Sequence, residues 1–190
     1  MKKLTLILLA VLLGFAACKK DEQDAGPGGT EILRLDGDNA SSPVLPAGNY
    51  EHAVKFPASL TSLYDGDLLT GVRVYFYFVP SNVEIVVYGP GNSANTPGVE
   101  LYVGSISGLQ GNAFNDILFE AQDQILIGRS DLWLSIYYTT QGGTQVIGCD
   151  AGPRDPNGDY LKDGATWTTF QDYTQTESIN WNIRGIVQRQ

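Results

Sequence analysis

Val72-Arg73-Val74-Tyr75-Phe76-Tyr77-Phe78-Val79 is followed, after Pro80-Ser81-Asn82, by Val83-Glu84-Ile85-Val86-Val87-Tyr88. These two runs decide the fold class. Both are rich in β-branched and aromatic residues, and the three residues between them are turn formers. In the first run Val72, Val74, Phe76 and Phe78 recur at period two, which predicts one apolar face and sets Arg73, Tyr75 and Tyr77 on the other. A helix needs apolar residues at i, i+3, i+4 and i+7. From Glu31 onward no long window shows that spacing without an intervening Gly or Pro, so no helix is expected there.

The same pattern extends outward along the chain. EILRL at 31, YEHAVKF at 50, ELYVGSI at 100, NDILFE at 115, QILI at 124, LWLSIYYT at 132, TQVIG at 144, TWTTF at 166 and INWNIRGIV at 179 read as further strands. Asp65-Gly66, residues 89–98, Gln141-Gly142-Gly143 and residues 152–158 read as turns and loops between them. Many short strands at fairly even spacing predict an all-β, jelly-roll-like antiparallel β-sandwich over residues 31–190. Alternation places Leu132, Leu134, Ile136 and Tyr138 on one face of their strand and Trp133, Ser135 and Tyr137 on the other. It places Ile179, Trp181, Ile183 and Val187 opposite Asn180, Asn182 and Arg184, so Trp181 is expected in the core.

The N-terminal stretch reads as an address. A basic head, Met1-Lys2-Lys3, precedes an apolar run from Leu4 to Ala17. That run is shorter than the ~20 residues of a membrane-spanning helix and suits the core of a secretory signal. It ends Gly14-Phe15-Ala16-Ala17-Cys18, which resembles a bacterial lipobox. Residues 1–17 are therefore expected to be a signal peptide. Residues 18–30 are then a lipidated Cys18 and a flexible tether, KKDEQDAGPGGT, that lacks apolar residues to bury. The anchor would hold the protein on a membrane without spanning it. Cys-Lys-Lys-Asp-Glu at its start resembles surface-displayed outer-membrane lipoproteins of Gram-negative bacteria, which implies that location here.

With Lys+Arg 12 against Asp+Glu 21, the net charge is −9. Phosphate backbones need a basic face, so a nucleic-acid partner is not expected. His52 is the single histidine and reads as an exposed strand residue; Cys149 reads as a small, partly buried thiol with no partner left once Cys18 is acylated. A nucleophile–histidine set, a zinc cluster, a P-loop and a dinucleotide fingerprint are all missing. Carboxylates are abundant, so a glycosidase-type pair stays open as a less favoured hydrolase reading.

Two constellations are candidates for binding. Asp155-Pro156-Asn157-Gly158-Asp159 places oxygen side chains at i, i+2 and i+4, like the first half of an EF-hand loop, although Tyr160 stands where that loop needs Gly. Asp155, Asn157 and Asp159 are thus candidate ligands for a structural Ca²⁺, the only cofactor the sequence suggests. Tyr75, Tyr77, Trp133 and Tyr137, with Arg73 and Asp131 as polar neighbours, are expected on sheet faces away from the core. Such rings offer stacking platforms for sugars.

Several segments together also carry a resemblance. Gly148-Cys149-Asp150-Ala151-Gly152-Pro153, Gly158-Asp159-Tyr160-Leu161, Asp163-Gly164 with Trp167, and above all Asn180-Trp181-Asn182-Ile183-Arg184-Gly185 resemble the cleaved-adhesin, jelly-roll modules attached to gingipain-type and other secreted proteases. Lys55 to Leu60, Tyr64, Gly66, Leu69-Thr70 and the run from Val83 to Tyr88 agree with it. The resemblance covers roughly residues 36–188. It implies a jelly roll that binds rather than catalyses, with calcium in some relatives. Those relatives usually follow a catalytic domain, and this chain shows none. The expectation is a non-enzymatic, surface-anchored, adhesin-like module for a glycan or an envelope or host protein. A structural or assembly partner of another envelope protein is the alternative.

Overall fold

The computed structural model describes residues 28–190. The expected signal peptide at 1–17, the lipidated Cys18 and the tether up to residue 27 lie outside the described residues.

Strands β1 (Thr30–Leu33), β2 (Gly48–Phe56), β3 (Leu68–Phe76), β4 (Ser81–Tyr88), β5 (Glu100–Ser105), β6 (Ala113–Leu118), β7 (Ile125–Leu126), β8 (Leu132–Thr140), β9 (Tyr160–Asp163), β10 (Thr166–Thr169) and β11 (Ile183–Gln188) form two antiparallel sheets. One sheet runs β1-β11-β3-β6, with β7 also on β3; the other runs β10-β9-β2-β8-β4-β5. Leaving aside β7, β9 and β10, consecutive strands cross from sheet to sheet, apart from the β4–β5 hairpin. The orders are then those of a jelly roll. The all-β sandwich expected from strand spacing is what forms.

The alternation has the expected physical consequence. Val72, Val74 and Phe76 from β3, Leu134, Ile136 and Tyr138 from β8, and Ile183 and Val187 from β11 are all buried in one core between the sheets. Trp181 lies there too, fully buried, with Nε1 donating to the Tyr160 carbonyl at 2.9 Å. A bulge in β3 keeps this face continuous. Ile186 pairs with Gly71 and Val187 with Leu69, so Thr70 is the extra residue and both Leu69 and Val72 turn inward. Gly71 is needed at that point, because a Cβ there would stand 2.4 Å from the Ile117 carbonyl oxygen.

Several expectations are corrected. Two short helices exist, α1 (Ala58–Thr61) and α2 (Phe170–Thr174), too brief to leave a helical period in the sequence. Helix α2 is held by its N-cap, Thr169, whose hydroxyl accepts from Asp172 N at 3.1 Å. Residues 144–148 make only isolated bridges, and the last strand starts at Ile183 rather than Ile179. Strand β9 forms where no strand was expected, and pairs with β10 across the Asp163-Gly164 turn. Phe78 is 55% exposed, since β3 ends at Phe76.

His52 is not an exposed strand residue. It points inward from β2, 2% exposed, stacked on Trp181 with centroids 4.1 Å apart. Its Nε2 lies 3.2 Å from the Tyr138 hydroxyl, and burial lowers its pKa to about 3, so the ring is neutral.

The closing motif is architectural. Asn180 Oδ1 accepts from Asp155 N at 2.6 Å, while its Nδ2 donates to Asp150 Oδ2 and to the Pro153 carbonyl. Gly158 packs so closely that a Cβ would meet Asn180 Oδ1 at 2.3 Å. Asn182 and Arg184 bind the Asp36 carboxylate, and Arg184 also bonds the Gly37 carbonyl. These buried side chains tie the strand to the β1–β2 connection and to the loop before β9.

Candidate functional site

The outward side chains of β2 are Glu51, Ala53 and Lys55; those of β8 are Trp133, Ser135 and Tyr137. Pairing register extends this face across the whole sheet. Trp167 of β10 is opposite Lys162 of β9, Lys162 is opposite Glu51, Glu51 is opposite Tyr137, and Tyr137 is opposite Glu84 of β4. Residues directly opposite in an antiparallel pair share a face. The row therefore carries two aromatic rings, Trp167 and Tyr137, with a Lys–Glu pair between them. Three strand spacings separate the rings, roughly 14 Å.

Below this row is a second apolar cluster, distinct from the core: Ala53, Val86, Tyr88, Trp133 and Tyr160, with half-buried Trp167 packed on it. Trp133 lies 4.5 Å from the Tyr160 ring and 5.9 Å from Trp167, and Tyr88 meets Trp167 edge-on at 6.3 Å. Lys55 Nζ stands 5.7 Å from the Trp133 centroid, and Lys162 Nζ 5.5 Å from that of Trp167. These are cation–π distances. The loop 89–99 closes one end: the Ala94 carbonyl accepts from Lys55 Nζ at 3.0 Å, and Asn95 Oδ1 accepts from the Tyr160 hydroxyl at 3.3 Å.

Glu51 organises the polar part. Its Oε1 accepts from the Tyr88 hydroxyl and from Ser135 Oγ, each at 2.6 Å, and its Oε2 faces Lys162 Nζ at 3.1 Å. Burial, and then the bond to this carboxylate, push the Tyr88 phenol well above its usual range. The carboxylate is 3% exposed and fully engaged, so it holds Lys162 and Tyr88 in place and presents no free base.

The sugar-platform residues expected from sequence do not form one surface. Trp133 and Tyr137 belong to the six-stranded sheet. Arg73 and Tyr75 lie on β3 in the opposite sheet, and Tyr77 lies just past its end. Arg73 is paired with Asp116, Nη2 to Oδ2 at 2.6 Å. Tyr75 packs on Tyr77 and Phe114, and the Tyr77 hydroxyl accepts from Asn39 Nδ2 at 3.0 Å. Asp131 accepts from Ala58 N at 2.9 Å, at the start of α1. Trp133 itself is 1% exposed and offers no ring to a ligand. The ring of this cluster that reaches the surface is the half-buried Trp167.

In the loop before β9, Asp155 Oδ1 accepts from Asn157 N at 2.8 Å and from its Nδ2 at 3.2 Å. Asp159 turns away, with Oδ1 2.7 Å from Arg154 Nε and Oδ2 accepting from Gln171 N. Burial raises the Asp159 pKa more than Arg154 lowers it. Asp155 and Asn157 are brought together; Asp159 faces a guanidinium. Among the described residues no three His, Cys, Asp or Glu side chains converge as a metal-holding group.

No family model matches the chain, and no curated protein matches it. The fold does have solved counterparts. The clostridial cysteine protease Cwp84 after propeptide cleavage aligns with a TM-score of 0.60 at 11% identity, over 85% of this chain and 40% of that one. A structure of the cysteine protease and lectin-like domains of Cwp84, a surface layer associated protein of Clostridium difficile, aligns with a TM-score of 0.52 at 10% identity, over 85% and 36%. This chain thus spans well under half the length of either. At such identity the likeness is one of fold.

Proposed function

We propose that this domain is a non-enzymatic binding module that takes an oligosaccharide along the outer face of the six-stranded sheet. The observation that carries the reading is the row Trp167–Lys162–Glu51–Tyr137–Glu84, two ring platforms flanking a held ion pair on one face. Sugar rings stack their C–H faces on aromatic rings, while Lys162, held between the platforms by the buried Glu51, is the polar group left to meet a sugar hydroxyl. The fold likeness to a chain with a lectin-like domain is compatible with this role. So is the resemblance to adhesin modules.

Two features speak against thiol chemistry. The Cys149 thiol is buried, and burial, then Asp150 and Glu177, raise its pKa to about 12. The imidazole of His52 is stacked in the core and neutral. We take the anchor to be the Cys18 lipid, which would display the module at the outer surface of a Gram-negative envelope. Among the described residues no helix is long and apolar enough to cross a membrane. One observation favours the second reading, a fixed envelope-protein partner. Val99, Leu101 and Val103, in and beside edge strand β5, are 71%, 46% and 50% exposed.

A broad glycan array probed with the purified protein, in calcium and again with chelator, tests the proposal. Specific binding that falls by about tenfold in Trp167→Ala and in Tyr137→Ala is expected, the loss of one stacking platform each. A blank array in both conditions overturns the glycan reading. Loss of binding with chelator alone would bring a metal near Asp155 into the site.

A further inference from the structure

A second concavity has different chemistry. Residues 40–46 form one wall of a cleft of about 600 Å³, and residues 170–179, from α2 onward, form the other. That volume is within the range of ligand sites. Val44, 56% exposed, stands on one wall, and Tyr173, 41% exposed, on the other. Pro43 and Ile179 extend the apolar lining, and no Lys, Arg or His contributes to it. The charged groups are two acids, Asp150 in the floor and Glu177 at the rim.

The two acids differ. Asp150 is 5% exposed and saturated: Oδ1 accepts from Gly152 N and Asn180 N, and Oδ2 from Gly37 N and Asn180 Nδ2, at 2.7–2.9 Å. Four N–H donors and no cation hold it ionised, with its pKa below the usual range even against burial. Glu177 is exposed and pairs with no cation among the described residues. Both carboxylates raise the pKa of Cys149 in the cleft floor, so their fields meet there.

We infer that this cleft docks a basic peptide segment, one apolar side chain lodging between Val44 and Tyr173 and a flanking Lys or Arg facing Glu177. Charge complementarity selects this occupant. An acidic chain or glycan is repelled by two like charges, and a neutral glycan leaves Glu177 unanswered. One wall is held by isolated antiparallel bridges, Ser41 to Cys149 and Val44 to Gln145, and Pro43 and Pro46 bias Ser42 and Leu45 toward extended backbone. This site is separate from the sheet face and does not depend on glycan binding there.

Fluorescence polarisation of labelled Lys-Leu-Lys-Leu-Lys with the full chain tests it, with Glu-Leu-Glu-Leu-Glu as the reverse-charge probe. Binding of the basic probe alone is expected, weakening severalfold from about 0.05 to about 0.5 M salt. Glu177→Lys should weaken it by about tenfold, as should Val44→Ser through the apolar contact. Glu120→Lys, an exposed site elsewhere with the same change in net charge, should leave it nearly unchanged. Equal losses in Glu177→Lys and Glu120→Lys would reveal only the general attraction of an acidic protein and would overturn the inference. So would equal binding of the acidic probe, or no effect of either cleft substitution. Thermal unfolding of each variant checks the fold, and Trp167→Ala should leave peptide binding intact whatever becomes of the glycan.

Discussion

The outer face of the six-stranded sheet buries Trp133, Tyr160, Tyr88 and the Glu51 carboxylate, whereas that of the five-stranded sheet leaves Leu118 68% exposed and carries the Arg73–Asp116 pair at its surface. Both faces come from the same period-two alternation. On the first, large rings and the 89–99 loop pack against one another and exclude water. On the second, the Arg73 and Asp116 side chains stay 34% and 46% exposed. Alternation thus says which side chains leave the core, but not whether they reach solvent. That is decided by what else the fold lays across them.

The largest test of this contrast is Trp133→Ala. If the outer aromatic layer is packed like a core, the variant should lose about 3–5 kcal/mol of unfolding free energy, while Trp167→Ala should lose only about 1 kcal/mol. Denaturant titration reads both, and a mild effect at Trp133 would break the comparison. It follows that Trp133 is unsuited to testing ligand binding, and that Trp167 is the better probe.

Next in size is an acid-dependent loss centred on His52, on the inner face of the same sheet. Its folded pKa is lowered to about 3 from an ordinary 6.5. The unfolded chain therefore takes up a proton as pH falls below about 6.5, and the folded one does not until about 3. Stability is complete above that window and declines through it, by about 3 kcal/mol at pH 4. His52→Phe should flatten the pH dependence of unfolding between about pH 6.5 and 4. An unchanged slope would mean that the ring is not held neutral.

The third test sets the two ion pairs side by side. Glu51→Ala should cost about 2–3 kcal/mol, since it strands the Tyr88 hydroxyl and leaves Lys162 without its carboxylate, while Ser135 keeps the Val86 carbonyl. Asp116→Ala should cost about 0–1 kcal/mol, as exposed pairs do. Equal costs in chemical denaturation would show that the two faces are equally wet.

Much of the fold was legible in the chain. The strands at 72, 83 and 132 follow from local spacing, as do the inward positions of Val72, Val74 and Phe76 and of Leu132, Leu134, Ile136 and Tyr138, though not Phe78, and Trp181 was expected in the core on the same ground. The proposed binding face was legible only in fragments. Tyr137 was recognised as an outward ring, but it was grouped with Tyr75 and Tyr77, which the crossing of strands sends to the other sheet. Trp167, Lys162 and Glu51 lie far apart in sequence and meet only through the β10–β9–β2 register. The closing Asn-Trp-Asn-Ile-Arg motif, the most specific part of the adhesin resemblance, proved to tie loops to the core. Its specificity therefore concerns the fold rather than the ligand.

What the sequence determined by itself is what short-range chemistry controls: strand periodicity, turn residues, and the lack of a long helical period from Glu31 onward. Sheet membership, the burial of His52 and Glu51, and the alignment of Trp167 with Tyr137 belong to the tertiary structure alone. The reason is physical. A strand's alternation is written in adjacent residues, but its partner and register depend on contacts between segments distant in the chain. Those contacts are chosen by the packing of the whole molecule.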